Sequence, residues 1–213
     1  KRNVDRITLQ SITQSVFSGF VDMDKGLLYN LKHLTLFPQK TILEYVQGKR
    51  RQILNPVSYA IITIGIYLFI DSLIPRGSKP ELQKVDVFGA QEMGVKLGYF
   101  IRDKMKFFWL TFALYSATFT RLFFRKYNFF EHLAINSFIL GHATLVAILI
   151  RLVYNRELIL FNFVVFFYMM FLMYKVFRNP KDTFGTGALS FLVIFLSYLF
   201  FLGVPFVYVI FFT

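Results

Sequence analysis

Arg121 to Tyr154 reads RLFFRKYNFFEHLAINSFILGHATLVAILIRLVY, and this stretch decides the fold. From Phe130 to Val153 it is long and apolar enough for a helix to cross the roughly 30 Å hydrocarbon core of a bilayer. Arg121, Arg125 and Lys126 mark one end, and Arg151 and Arg156 the other. Yet Glu131, His132, Asn136 and His142 lie within it, more polar side chains than any other apolar segment holds. An ionisable residue at a span's centre costs roughly 2.5–3.5 kcal/mol on insertion scales, so such residues are functional candidates by default.

Outward from this segment, four more apolar runs read as spans, at 56–74, 107–124, 158–176 and 189–212, with the quoted one at 130–153. The chain is 56% hydrophobic and 20% aromatic over 213 residues, and a soluble domain of that size cannot bury several such runs. A lipid-exposed backbone must satisfy its own hydrogen bonds, which leaves helices or a closed barrel. Barrel strands alternate polar and apolar residues, whereas these runs are continuously apolar. The expected fold is therefore all-α: a polytopic membrane helical bundle of about five transmembrane helices, with the lipid bilayer as its first partner. Residues 75–106 are polar and read as a loop followed by a helical approach to the second span. Gly203 and Pro205 predict a kink in the last one.

Residues 1–55 read as short amphipathic interfacial or cytoplasmic helices rather than a separate globular domain, ahead of the transmembrane bundle of 56–213. Leu9, Ile12, Val16 and Phe20 recur at helical spacing, as do Leu27, Leu28, Leu31 and Leu34. Pro38 suits the first turn of a further helix with Ile42, Leu43 and Val46 inward and Gly48 at its C-terminal end. Such helices suit the membrane interface, the surface of the spans or a partner. Gly48–Pro56, GKRRQILNP, forms a basic collar before the first span. Lys49, Arg50 and Arg51 are candidates for binding headgroups or a partner's phosphate; the plainer reading is a topology signal.

The formal charge of +12 would suggest nucleic acid in a soluble protein. Here the cations flank apolar runs, so no nucleic-acid partner is expected. Of the 24 Lys and Arg residues, fifteen fall on the N-terminal side of the expected topology and nine opposite, which predicts a cytoplasmic N-terminus and a periplasmic C-terminus. The polar first fifty residues do not fit a cleavable signal peptide.

Catalytic patterns are missing. The chain has no cysteine, no HExxH, no GxSxG and no P-loop glycines. Its three histidines, His33, His132 and His142, lack companions at metal-ligand spacing. Asp71 is the lone aspartate within a span, so a two-aspartate protease site is not formed. No metal, cofactor or catalytic residue is expected.

The polar residues of the quoted span carry bland readings too. Asn128-Phe-Phe-Glu131 fits a capping box, with Glu131 also placed to pair with Arg125 or Lys126. His132 and Asn136 stand one turn apart and suit a hydrogen bond to each other or to a neighbouring helix. Glu131 and His142 share nearly one face but lie about 16 Å apart, too far for a shared metal or a direct proton handover. His142, near mid-span, suits a helix–helix hydrogen bond.

The order of features resembles a bacterial inner-membrane family of unknown function. The motifs that carry the likeness are Arg6–Thr8, Met23–Gly26, Pro38–Tyr45, the collar Gly48–Pro56, and Tyr127–His132. The resemblance implies compartment and topology and brings no activity. Family members often carry a Cys-paired zinc ribbon, which would lie before Lys1. On this reading the protein acts through partners, as an accessory, scaffold or regulatory subunit of a membrane complex without catalysis of its own. The alternative is a small lipid or proton transporter or channel, a homo-oligomer with a polar path along the third span; a membrane-embedded enzyme comes third.

Overall fold

An apolar run becomes a helix in a membrane because each turn satisfies the backbone of the next, and the chain follows that rule closely. A computed structural model describes residues 7–13, 23–74, 94, 97–98, 100–101, 103–154 and 162–212. Among them all regular structure is helical. Two helices precede the first apolar run: α1 (Met23–Leu36) and α2 (Pro38–Val46). The apolar helices are α3 (Pro56–Leu73), α4 (Phe112–Phe124, led in by a 3-10 segment, Met105–Thr111), α5 (Phe129–Tyr154), α6 (Phe163–Phe177) and α7 (Thr183–Phe212).

Four described helical stretches are long and apolar enough to cross a membrane: Pro56–Leu73, Met105–Phe124, Phe129–Val153 and Thr183–Gly203. The remaining apolar helix, α6, has 15 residues, about 22 Å of helix, so it falls short of the expected span 158–176. Its start is set by Asn162, whose side-chain oxygen accepts the amides of Val164 (3.0 Å) and Val165 (3.4 Å). The last helix begins at Thr183 rather than at 189. Asp182 caps it by accepting the Gly185 amide at 2.8 Å, and Thr186 and Ser190 bond carbonyls one turn back, which lets this polar stretch stay helical. Pro205 lies inside this one helix. The second span starts earlier than 107, because the 3-10 turn carries Met105 and Lys106 into the buried interior.

α5 is the hub. It packs against α3, α4, α6 and both short helices, while α7 closes the outer side against α4 and α6. Ala134, Ile135, Phe138, Leu140 and Ala143 are fully buried. α3 crosses α5 where Gly141 meets Tyr59 and Ala60: a Cβ at Gly141 would stand 2.8 Å from Tyr59 Cδ1 and 3.1 Å from Ala60 Cα. Absence of a side chain is what allows this approach. α3 runs parallel to α5, with Tyr59 beside His142 and Asp71 beside Arg151. α4 is antiparallel, so Trp109 meets Thr144 and Ser116 meets Asn136.

The short helices rest on the spans. Buried Asn30 on α1 donates to the Leu54 carbonyl and accepts the Leu54 amide, both at 3.2 Å, and so ties α1 to the approach to α3. Tyr45 on α2 meets Phe138 edge-on at 5.3 Å between centroids. The expected leucine stripe divides: Leu34 is buried and Leu27 partly so, while Leu28 and Leu31 face outward. Ile7 and Ile12 are buried, and Leu9 of the first expected stripe is exposed; Val16 and Phe20 lie outside the described residues.

The crossing of α3 on α5 makes a contrast within one pair of helices. Gly141→Val is expected to destabilise the protein by about 1–3 kcal/mol, since neither Tyr59 nor the Ala60 backbone can retreat without strain. Gly65→Ala on α3, where an added Cβ meets nothing within 4 Å, is expected to leave stability unchanged or slightly raised. Thermal unfolding in detergent compares the two; equal losses would place the close approach elsewhere.

Candidate functional site

The side chains singled out on α5 go to three different neighbours. At its start the capping box forms as expected: the Asn128 amide donates to Glu131 Oε2 and the Glu131 amide to Asn128 Oδ1, each at 2.8 Å. The Asn128 side chain also donates to the Ile7 carbonyl at 3.1 Å, which holds the N-terminal segment against this end of α5. Glu131 is thus spent on the helix start.

Asn136 faces α4. Its Nδ2 donates to Thr120 Oγ1 (2.9 Å) and to the His132 backbone carbonyl (2.8 Å), and its Oδ1 accepts from the Ser116 hydroxyl. Thr120 passes its own proton to the carbonyls of Ser116 and Ala117. Both donors and one acceptor position of the amide are therefore used. The expected bond between His132 and Asn136 exists, but through the histidine's backbone.

His142 faces α3 and α1. Tyr59 Oη lies 3.0 Å from Nδ1, and Thr35 Oγ1 lies 3.5 Å from Nε2. Thr35 gives its proton to the Leu31 carbonyl at 2.6 Å. The consistent assignment has Tyr59 donating to Nδ1 while Nε2–H points to Thr35. One imidazole therefore joins the first span, the central span and the tip of α1.

His132 differs. It is fully buried, stacked on Phe177 of α6 (5.6 Å between centroids, 19° between planes) and edge-on to Tyr127 at 5.9 Å. Neither ring nitrogen has a hydrogen-bond partner among the described residues. A buried polar group left so costs roughly 1–3 kcal/mol.

The far end of the bundle holds a constellation that sequence reading missed. Asp71, taken as alone, is buried between two cations: Lys106 Nζ reaches its Oδ2, and Arg151 Nε donates to its Oδ1 at 3.0 Å. By sequence Lys106 belongs to the polar approach and Arg151 to a flank. The signal was present: one carboxylate near the end of an apolar run, and one cation at the edge of each of two other runs. Only the antiparallel register of α4 brings the three to one level. Trp109 Nε1, three residues from Lys106, donates to Thr144 Oγ1 at 3.0 Å and fixes that register.

At the opposite end, α2 closes in a Schellman motif. Gly48 takes a φ of 94°, its amide donates to the Tyr45 carbonyl (3.1 Å), and the Lys49 amide donates to the Glu44 carbonyl (2.9 Å). The chain then turns back, so that Arg50 lies over the Tyr45 ring at 5.6 Å. Lys49 Nζ bonds Glu44 at 3.0 Å, and this bond holds the Glu44 carboxyl below its ordinary pKa. Arg51 is exposed. Asn55 caps α3 by accepting the Val57 amide at 2.9 Å, with Pro56 as the first helical residue. Lys49, Arg50 and Arg51 thus share one turn. Among the described residues no three His, Asp or Glu side chains group as a metal site.

Two measurements follow from this geometry. Asp71→Asn leaves two buried cations without their carboxylate, and the expected loss is about 3–5 kcal/mol; a loss under about 1 kcal/mol, from equilibrium unfolding in mixed micelles, would mean that the triad is wetter than it looks. Tyr59→Phe and His142→Leu, singly and together, are expected to show a coupling of about 0.5–1.7 kcal/mol; strict additivity would deny their hydrogen bond.

No curated protein and no solved structure matches the chain at a significant level. Residues 24–68, which span α1, α2, the basic turn and most of α3, match the family described as "Protein of unknown function (DUF3667)".

Proposed function

We propose that this protein is a non-catalytic subunit of a membrane assembly, a helical scaffold that acts through partners in the bilayer. One observation carries the reading. Glu131, Asn136 and His142 are each committed to contacts that hold the fold, and they point toward the helix start, α4 and α3 respectively. A polar path for a solute needs such groups on one face with bonding capacity to spare; here they are turned apart and occupied. The basic ends of α4, α6 and the turn before α3 lie at one end of the bundle, which supports a bacterial inner-membrane protein with that end in the cytoplasm.

A second reading rests on His132. Its two open nitrogens, buried within the bundle, suit a proton or ligand passed through the interior, which is the form a small transporter would take here. Unchanged transport by a folded His132→Leu variant removes the motive for it.

Purification of the tagged protein in mild detergent, followed by native mass spectrometry, tests the first reading. A defined partner at fixed stoichiometry is the expected result. A homo-oligomer without partners favours the second reading, and a clean monomer contradicts both.

A further inference from the structure

On the reading of this protein as a subunit that acts through partners, we infer that the outer face of α1 and α2 docks a transmembrane helix of a different protein. That helix sets a carboxylate against Lys32 and Lys40, at mid-depth in the bilayer.

The two short helices reach deep. Phe177 at the end of α6 stacks on Phe124 at the end of α4 (4.3 Å between centroids) and on His132 in the first turn of α5 (5.6 Å). Three helix termini thus share one level, and Arg125, Lys126 and Arg178 adjoin it, as cations do at a headgroup surface. His142 lies ten residues past His132, about 15 Å deeper, which is half of a roughly 30 Å hydrocarbon core. Thr35 Oγ1 stands 3.5 Å from that imidazole. α1 and α2 join just beyond, where the Thr41 hydroxyl meets the carbonyls of His33 (3.2 Å) and Phe37 (2.9 Å). They therefore form a hairpin whose tip is near the membrane's midplane, and Tyr45 returns to the level of Phe138.

What this hairpin shows to its surroundings fits neither lipid nor water. Leu28, Leu31, Lys32, Thr35 and Leu36 are exposed at helical spacing along one face of α1, and Gln39 and Lys40 are exposed past the tip. Leu36 and Phe37, 57% and 56% exposed, are unfavourable against water. Lys32 has no hydrogen-bond or ion-pair partner among the described residues, and a bare ammonium is unfavourable against hydrocarbon. Its four-carbon stem is shorter than the roughly 10 Å between this part of α1 and the cation level. Lys40 has Glu44 one turn on along α2, but that carboxylate is bonded to Lys49.

A helix from another protein meets both demands, since its apolar side chains cover the leucines and Phe37 while its carboxylate pairs with the lysines. A second copy of this chain lacks the carboxylate. Among the described side chains Glu44, Asp71 and Glu131 are already bonded, and Asp103 and Asp182 lie at the two ends of the bundle.

Photo-crosslinking in membranes of the organism that makes the protein supplies the test. Benzoylphenylalanine is placed in the full chain at Leu31 or Leu36, with exposed Phe69 on α3 and Leu149 on α5 as control positions. The expected adduct from the hairpin maps, by mass spectrometry, to an apolar segment of another protein that contains Asp or Glu. Lys32→Glu with Lys40→Glu is expected to lower its yield on the order of tenfold, with the unfolding temperature unaltered. Replacing the mapped carboxylate by lysine in the partner is expected to restore it, and Lys181→Glu at the surface to leave it unchanged. A partner captured at Phe69 or Leu149 but not on the hairpin would overturn this docking face and leave the subunit reading standing. Capture at none of the four positions would count against both. Adducts with lipid alone, with a second copy, or insensitive to the charge reversal would overturn the docking face. So would labelling of Lys32→Cys by a charged thiol reagent as fast as Arg51→Cys, which would make the face an aqueous crevice.

Discussion

A polar side chain in hydrocarbon must find its partner within the protein, and this constraint on α5 organises the bundle. Asn136, His142 and Arg151 on that helix each name a neighbour and fix it. Asn136 sets the register of α4 through Ser116 and Thr120, and Trp109 repeats that register nearer the far end through Thr144. His142 sets the level of α3 through Tyr59, one residue past the glycine that lets the two helices touch. Arg151 then meets Asp71, and Lys106 follows because α4 is already placed. Individual membrane hydrogen bonds average only about 0.6 kcal/mol. Their effect here is selection: a slip of α4 by one residue would leave an amide, an indole and an ammonium unmatched together.

The segment before the spans obeys the same logic at the membrane's edge. Polar backbone between helices is costly near lipid, and Gly48–Pro56 is held by a turn, a clamp and a cap. Asn30 serves as a substitute strand for Leu54, Asn55 as a cap for α3, and Gly48 takes a backbone conformation that other residues rarely adopt. The family match spans this unit from α1 into α3.

Much of the helical fold was legible because apolar length and caps are local properties. Gly48 at a C-terminus, Pro38 and Pro56 at helix starts and the Asn128–Glu131 box all read directly from neighbours in sequence. The errors arose where the deciding contact was remote or where a polar residue stood inside an apolar reading. Asn162 shortens α6 although the apolar run continues upstream, and Thr186 and Ser190 extend α7 by bonding to their own helix. Leu27 and Leu34 turn inward while Leu28 and Leu31 turn out, since a stripe of four leucines does not say which edge meets the protein. The Asp71 triad needed the register of α4, which no spacing within one segment reveals. For His132, sequence pointed to a candidate, and the structure adds that it lacks the partners its neighbours on α5 have found.

The central claim is that α5's polar contacts are sealed between helices and line no aqueous path. The chain has no cysteine, so single cysteines report cleanly. Ser116→Cys and Thr144→Cys are near-isosteric replacements at buried partners of Asn136 and Trp109, and Arg51→Cys is an exposed control. Intact membranes would be treated, with access to both faces, with a water-soluble, charged thiol reagent. Rapid labelling is expected at 51 and none at 116 or 144 until the protein is unfolded. Labelling at 116 and 144 in the folded protein, at rates near that of 51, would contradict it and restore a water-filled route through the bundle.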